Sequence, residues 1–498
     1  MGHDRICDSL RSTRGTSLTR RGLLQRAGWA AAATALPRSI TLGADSVSPV
    51  MVRLSSYMSD ARDRALPDDV VEKTKHHVLD TIAAMISGSQ LLAGQFALRF
   101  ARAQRGEAVA TVAASDIVCN PIEAAFANAM LAHSDETDDS HAPSQSHPGC
   151  SVVPAALAAS ERFGVDGTRF LRSVALGYDV GTRMTMSIGR PGFQTENHMS
   201  THSVANVFGS TAAAACAAAM NSQQIRWVLG YAAQEASGTK AWQRDTDHIQ
   251  KAFLFAGMGA RGGVTAVMLV QSGATGVDAF FSGADNFLSV FGSESQAGIL
   301  IEKLGERYEV ARTNIKKWTV GSPIQAPMDA LVILQEKHPF TAAQVQQVVV
   351  RVATHEGALV DNREMPDICV QHLVAVMLLD KTVSFTAAHD KPRMQDPAIL
   401  RERAKVKLIG DDDLERRLPR REAVVEITLT DGTKLTEHVT AVRGTAENPM
   451  PREEVVAKAR DLIVPVLGAT KCDALVEKLL SLETLKDIRG LRPLLQRT

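Results

Sequence analysis

The densest run of chemically capable side chains in the sequence is His133-Ser134-Asp135-Glu136-Thr137-Asp138-Asp139-Ser140-His141, followed shortly by His147-Pro148-Gly149. Carboxylates, hydroxyls and imidazoles at this density are the stock of acid–base catalysis, which needs proton donors and acceptors that work near neutral pH. The same residues fit a divalent-cation site, because imidazole and carboxylate are both metal ligands. They also fit a solvated acidic loop with incidental histidines, and composition alone leaves the three readings open. Elsewhere, His202 stands among small and apolar residues, the setting of a core histidine. Lys251 sits at a polar-to-apolar transition and by itself reads as a surface lysine. Asp138 and Asp139 read as loop or helix-cap residues, and His76, His77 and His248 carry no specific signal.

The elements around this run must present it. Asn120-Pro121-Ile122-Glu123 starts one helix, with an N-cap, a proline at the first position and a glutamate placed for a capping box. Another is expected over about 151–163, stopping at Gly164, whose freedom at positive φ suits a C-cap. The polar run therefore lies in a connection between two helices, where side chains can face a cleft. His147, just ahead of the second helix, is well placed to bind carboxylates. Leu66-Pro67-Asp68-Asp69 opens an earlier helix, with Val71, Val78, Ile82 and Met85 on its apolar stripe. Alanine-rich helical patterns continue over 212–220 and 262–271, with no convincing strand before about residue 275. Beyond that the pattern changes. Residues 347–353 alternate as a strand, and 423–429, Asp431-Gly432 and 434–440 read as a hairpin. Residues 370–379 and 397–409 read as helical, as does the stretch 451–491. The expected architecture is mainly α: a large all-helical domain over 50–275, completed by C-terminal helices over 446–498, and a smaller α+β domain over 280–445.

Composition narrows the class. The 498 residues are 45% hydrophobic and 22% charged, as in globular proteins, and only 5% aromatic. Formal charge is zero overall, yet residues 1–44 carry seven arginines against two aspartates, leaving the remainder mildly acidic. No basic stripe exists of the kind that nucleic acid requires, so a nucleic-acid partner is not expected. The cysteines at 7, 119, 150, 216, 369 and 472 have no zinc-ribbon spacing and read as buried thiols. Near the start, Thr19-Arg20-Arg21-Gly22-Leu23-Leu24-Gln25 precedes the short apolar run from Ala27 to Leu36. This has the form of a twin-arginine signal, with Leu42-Gly43-Ala44 as the candidate cleavage site. The expectation is a periplasmic protein with no stable membrane association after export.

Several motifs then occur in a fixed order: Leu66-Pro67 with Leu79-Asp80-Thr81, the 133–148 loop, and Val153-Pro154-Ala155-Ala156-Leu157-Ala158. They continue with Thr201-His202-Ser203-Val204, Lys251-Ala252-Phe253, Gly321-Ser322-Pro323-Ile324-Gln325, His372-Leu373-Val374-Ala375-Val376 and Asn448-Pro449-Met450. Together they resemble the MmgE/PrpD family, over about residues 50–490. Its members include 2-methylcitrate dehydratase, cis-aconitate decarboxylase and iminodisuccinate epimerase. The resemblance implies a homodimer of two-domain subunits, a site between the domains, a small polycarboxylate substrate, and neither metal nor organic cofactor. Carried over residue by residue, it places Glu136 at the family's first acidic position, often aspartate, and Ser140 where threonine is usual. It places His147, His202 and Lys251 at the loop histidine, second histidine and lysine. Gln325 falls where a third histidine is usual, and an amide cannot transfer protons as imidazole does. His147, His202, Lys251 and Glu136 would then be catalytic, and Ser140 and Gln325 would orient substrate oxygens. The expected activity is a 2-methylcitrate dehydratase-like hydro-lyase. An epimerase and a non-catalytic carboxylate-binding protein are the alternatives.

Overall fold

Alanine-rich helices can approach one another closely, and such helices fill the first half of the chain. The computed structural model describes residues 47–189, 197–291 and 296–497; the leader expected over 1–44 lies outside the described residues. Asp68–Gly88 begins after Pro67 with two aspartates in its first turn. Pro121–Ala132 is capped by Asn120, whose side chain accepts the Glu123 amide. Gly149–Phe163 ends at Gly164 in the left-handed conformation, φ 65°. Gly167–Ser187, Thr201–Ala217 and Met258–Gln271 complete the helices nearest the polar loop. A two-residue antiparallel ladder, β1 (Ala110–Thr111) with β2 (Val118–Cys119), interrupts the helices. It is too short to leave an alternating pattern in the sequence.

Glycine sets the spacing of the helices that matter for the site. A Cβ on Gly259 would lie 2.8 Å from the Asn206 backbone, and one on Gly263 would lie 2.5 Å from the Thr211 amide. Met258–Gln271 and Thr201–Ala217 therefore touch backbone to backbone, which a larger side chain would prevent.

The second half builds a four-stranded sheet in the order β4-β3-β5-β6. β3 (Val345–Ala353) runs antiparallel to β5 (Ala423–Leu429), which forms a hairpin with β6 (Lys434–Val439). On the other side β3 pairs in parallel with β4 (Val406–Asp411), reached by a helical crossover. Here the sequence expectation is corrected: helix ends at Arg403, and the residues after Lys405 form an edge strand. The stretch Val406-Lys407-Leu408-Ile409 is too short for its period to decide, and its pairing with β3 settles the matter.

Two apolar cores result. The first gathers Met51 to Ile315 and, from the chain's end, Met450, Val455, Leu462, Leu479 and Leu491. The second runs from Trp318 to Val442. Phe281, Phe287, Leu300 and Val310 pack in the first core although they precede the sheet. The five described cysteines are buried and free. The chain is thus mainly α with a smaller α+β part.

Candidate active site

The polar run does not lie in solvent. Every residue from His133 to His141 is buried, in a connection enclosed by both cores. Buried backbone needs partners, and two lysines supply part of the demand. Lys316 Nζ donates to the Glu136 carbonyl at 2.8 Å, and Lys458 Nζ, from the C-terminal helix Arg452–Leu467, donates to the Thr137 carbonyl at 3.0 Å. Ser140 exchanges backbone hydrogen bonds with Asn314 at 3.0 and 2.8 Å. Asp139 accepts the Gly149 amide at 2.9 Å at the start of Gly149–Phe163, and also bonds His77 at 2.8 Å and the Tyr178 hydroxyl. Asp139 is therefore a helix-terminus residue, as its sequence setting indicated.

Glu136 is the hub. Its Oε1 accepts from Lys251 Nζ and lies 3.1 Å from His248 Nε2, while Lys316 Nζ stands 3.5 Å from Oε2. Burial alone would raise the pKa of this carboxyl, but Lys251, Lys316 and His248 outweigh it and hold the group ionised, well below the usual carboxylate range. Asp138 behaves likewise: burial opposes ionisation, and His133, His147 and Lys316 overcome it. Its Oδ2 pairs with His133 Nδ1 at 3.0 Å, and its Oδ1 lies 3.3 Å from His147 Nδ1.

The imidazoles are layered on Phe255. His202 stacks on its ring at 3.7 Å between centroids and His133 at 4.9 Å, with His147 tilted at 5.8 Å. Burial, then the charges of His147, His133 and Lys251, hold the pKa of His202 well below the usual imidazole range. Burial also pushes His133 down, to about 4, against the pull of Asp138. His202 is thus a neutral ring, and among the described residues its Nδ1 has no hydrogen-bond partner. A core histidine would normally be satisfied.

Lys251 owes its place to irregular backbone. Ile249–Ala252 runs into a π turn, Phe253–Gly257, before regular helix resumes at Met258. Such turns are frequent at functional sites because they re-aim side chains. His248 just ahead holds φ 60°, and the Lys251 amide is tied to Asp245 at 2.9 Å. The ammonium lies over Trp242 and Phe255, 5.2 and 5.1 Å from their centroids.

Glu136, Ser140, His147, His202 and Lys251 all line one cavity of about 550 Å³, whose opposite wall comes from residues 321–323, 355–368 and 415–421. Gln325 does not join them. Its amide donates to the Trp318 and Val320 carbonyls at 2.8 and 2.9 Å and accepts the Trp318 amide at 3.1 Å. All of its polar atoms hold the turn at 318–320, and its side chain borders a neighbouring cavity instead. The residue expected to orient substrate oxygens thus lines a cavity that shares Ser140 and Ser322 with the first. Lys316 and His248 were not singled out from sequence, and His133 entered only as the first residue of the polar run. Lys316 stands shortly before the Gly321–Gln325 motif, a position that could have drawn notice, whereas His248 offered no signal.

His133, Asp138 and His147 each bring one ligand atom within 4.8 Å of the others, a grouping able to hold a divalent cation. The Lys316 ammonium, 3.7 Å from Asp138 Oδ1, already supplies positive charge there. Across the cleft, His389 Nε2 of the second domain lies 2.9 Å from Asp135 Oδ2. Burial disfavours the charged ring, yet Asp135 and Asp367 raise its pKa to about 9.

Chemically, the cavity offers a fixed ammonium, a neutral imidazole and a second imidazole beside a carboxylate. That set binds an anion and moves a proton beside it. Comparison with known proteins agrees in kind. The MmgE/PrpD N-terminal domain matches residues 52–299, and the MmgE/PrpD C-terminal domain matches residues 318–482. A cis-aconitate decarboxylase of Aspergillus terreus (strain NIH 2624 / FGSC A1156) is 24% identical over 486 residues, covering 90% of this chain and 96% of that protein. Those of Mus musculus and Homo sapiens are each 23% identical, over 453 and 450 residues. They cover 86% of this chain and 90% and 91% of the respective relatives.

Proposed function

The chain belongs to the MmgE/PrpD family, and from that premise we propose that it is a lyase which eliminates water from a small hydroxy-polycarboxylate. The observation that carries this reading is the convergence of His147, His202 and Lys251 on one cavity around Phe255. Lys251 holds a substrate carboxylate and stabilises the negative charge that develops beside it. Neutral His202 removes the proton from the adjacent carbon. The electron pair forms the double bond, and the hydroxyl leaves as water with a proton delivered by His147. Glu136 keeps the Lys251 ammonium in place, and burial between two domains strengthens each interaction relative to water. Ser140, on the cavity wall, orients a substrate oxygen.

A second reading, decarboxylation, is favoured by the activity named for the relatives. It uses the same charge stabilisation: the carbon–carboxyl bond breaks, carbon dioxide leaves, and the electron pair left on carbon takes up a proton from an imidazole of the cavity. Proton NMR of the protein with hydroxy-, amino- and unsaturated polycarboxylates in deuterated water separates the outcomes. A new alkene signal with water loss supports the hydro-lyase, and carbon dioxide from carboxyl-labelled substrate supports the decarboxylase. Deuterium exchange without an alkene indicates an epimerase. Tight binding without exchange indicates a binding protein, and neither binding nor exchange with any compound sinks the polycarboxylate reading. A homodimer and twin-arginine export are proposed with this function. The exposed Leu92, Phe96, Phe100 and Phe253 offer apolar surface for a second copy. Light scattering and periplasmic fractionation check the two points.

A further inference from the structure

The cavity is larger and more apolar than a six-carbon tricarboxylate requires. At about 550 Å³ it falls within the range of pockets that hold drug-sized ligands. Its charged groups are also unevenly placed. Lys251 and Lys240 stand on the first-domain side, and among the described residues no carboxylate pairs with Lys240. Lys251 is shared with Glu136, while on the second-domain side Arg421 pairs with Glu356 at 2.6 Å and Arg363 donates to the Gln243 carbonyl at 3.0 Å. Between them Leu359 and Val360 from the helix Thr354–Val360, then Met365 and Ile368, give the wall an apolar stretch.

Phe255, Met365 and Ile368 border the cavity and are at most 9% exposed. Their hydrocarbon faces the same enclosed space as the acid–base residues.

We propose that the substrate is a polycarboxylate bearing an unbranched apolar substituent of several carbons. Its carboxylates lie at Lys251 and Lys240, and the chain lies along Leu359, Met365 and Ile368. The inference rests on the polycarboxylate reading of the site and names the substrate class within it.

The test is calorimetric titration of the full chain with succinate and with methyl-, butyl- and octylsuccinate, dicarboxylates without a hydroxyl to eliminate. Lys251→Met and Leu359→Asp are titrated in parallel. Burial of each methylene should tighten binding about fourfold, the equivalent of ~0.8 kcal/mol, from methyl to butyl. Leu359→Asp should flatten that dependence. Affinity that is level or falls with chain length in the wild type overturns the inference while leaving the polycarboxylate reading intact. An undiminished gain in folded Leu359→Asp overturns it as well, because the chain would then lie elsewhere. If no member binds, or if Lys251→Met does not weaken succinate binding, the polycarboxylate reading falls first and this inference with it. Should Leu359→Asp not fold, the wild-type series still decides.

Discussion

Replacing His389 by glutamine removes a charge that joins the two halves of the molecule. The ring belongs to the short helix Phe385–His389 of the second domain, and Phe385 packs against the first core. Its Nδ1 donates to the Phe385 carbonyl at 2.7 Å, and its Nε2 faces Asp135 in the buried polar loop. Asp367, also buried, adds negative charge nearby. The side chain is only 12% exposed, so solvent screens the pair weakly. A rise in pKa from 6.5 to about 9 favours the charged, paired ring in the folded state. At ~1.4 kcal/mol per unit, that shift is worth about 3 kcal/mol. Because the folded pKa lies above the unfolded one, this stability is fully present below about pH 6.5 and lost as pH rises through about 9. Glutamine has no charge at any pH, so the gap between wild type and His389→Gln should follow the same course. At about 1 °C per kcal/mol for a folded unit of this size, the gap in Tm is about 3 °C at pH 6, closing towards zero near pH 10. Thermal unfolding followed by circular dichroism across that range measures it. A gap that stays constant, or widens as pH rises, refutes the charged pair.

Lys251→Met should lower kcat/KM by about 10²–10³-fold, the usual cost of losing one group that stabilises developing charge, as steady-state kinetics would register. Lys316→Met removes a cation that holds Glu136 and Asp138 ionised, so both carboxyl pKa values should rise. The acid limb of the rate profile would then move to higher pH. In the wild type that limb should lie below the usual imidazole range, because His202 is held neutral there; a limb above pH 7 would argue against His202 as the base. Gly259→Ala should destabilise by about 1–3 kcal/mol through overpacking, since its Cβ would meet the Asn206 backbone at 2.8 Å. Activity should fall with it, as the helix after Lys251 is pushed away from the helix carrying His202.

Much of the fold was legible because its signals are local. Asn120-Pro121 and Gly164 mark helix ends through the conformations of the residues themselves. The hairpin at Asp431-Gly432 follows from the turn, where Gly432 holds φ 85°. The edge strand β4 was missed because Val406–Asp411 is short and does not alternate, and its identity comes from the neighbour it pairs with. Motif order identified the family and named Glu136, Ser140, His147, His202 and Lys251, which share one cavity. The same matching put Gln325 among them, although its amide is held by the backbone of its own turn.

What the sequence by itself determined is therefore the set of chemical groups and the local elements that carry them. These depend on residue type, on capping and on periodicity over a few turns. What only the tertiary structure decided is which groups share a field. That the acidic loop is buried, that Lys316 and His248 converge on Glu136, and that His389 reaches Asp135 all depend on contacts across long stretches of chain. A pKa is set by the sum of burial and neighbouring charges. Both are properties of the folded neighbourhood, and no local spacing encodes them.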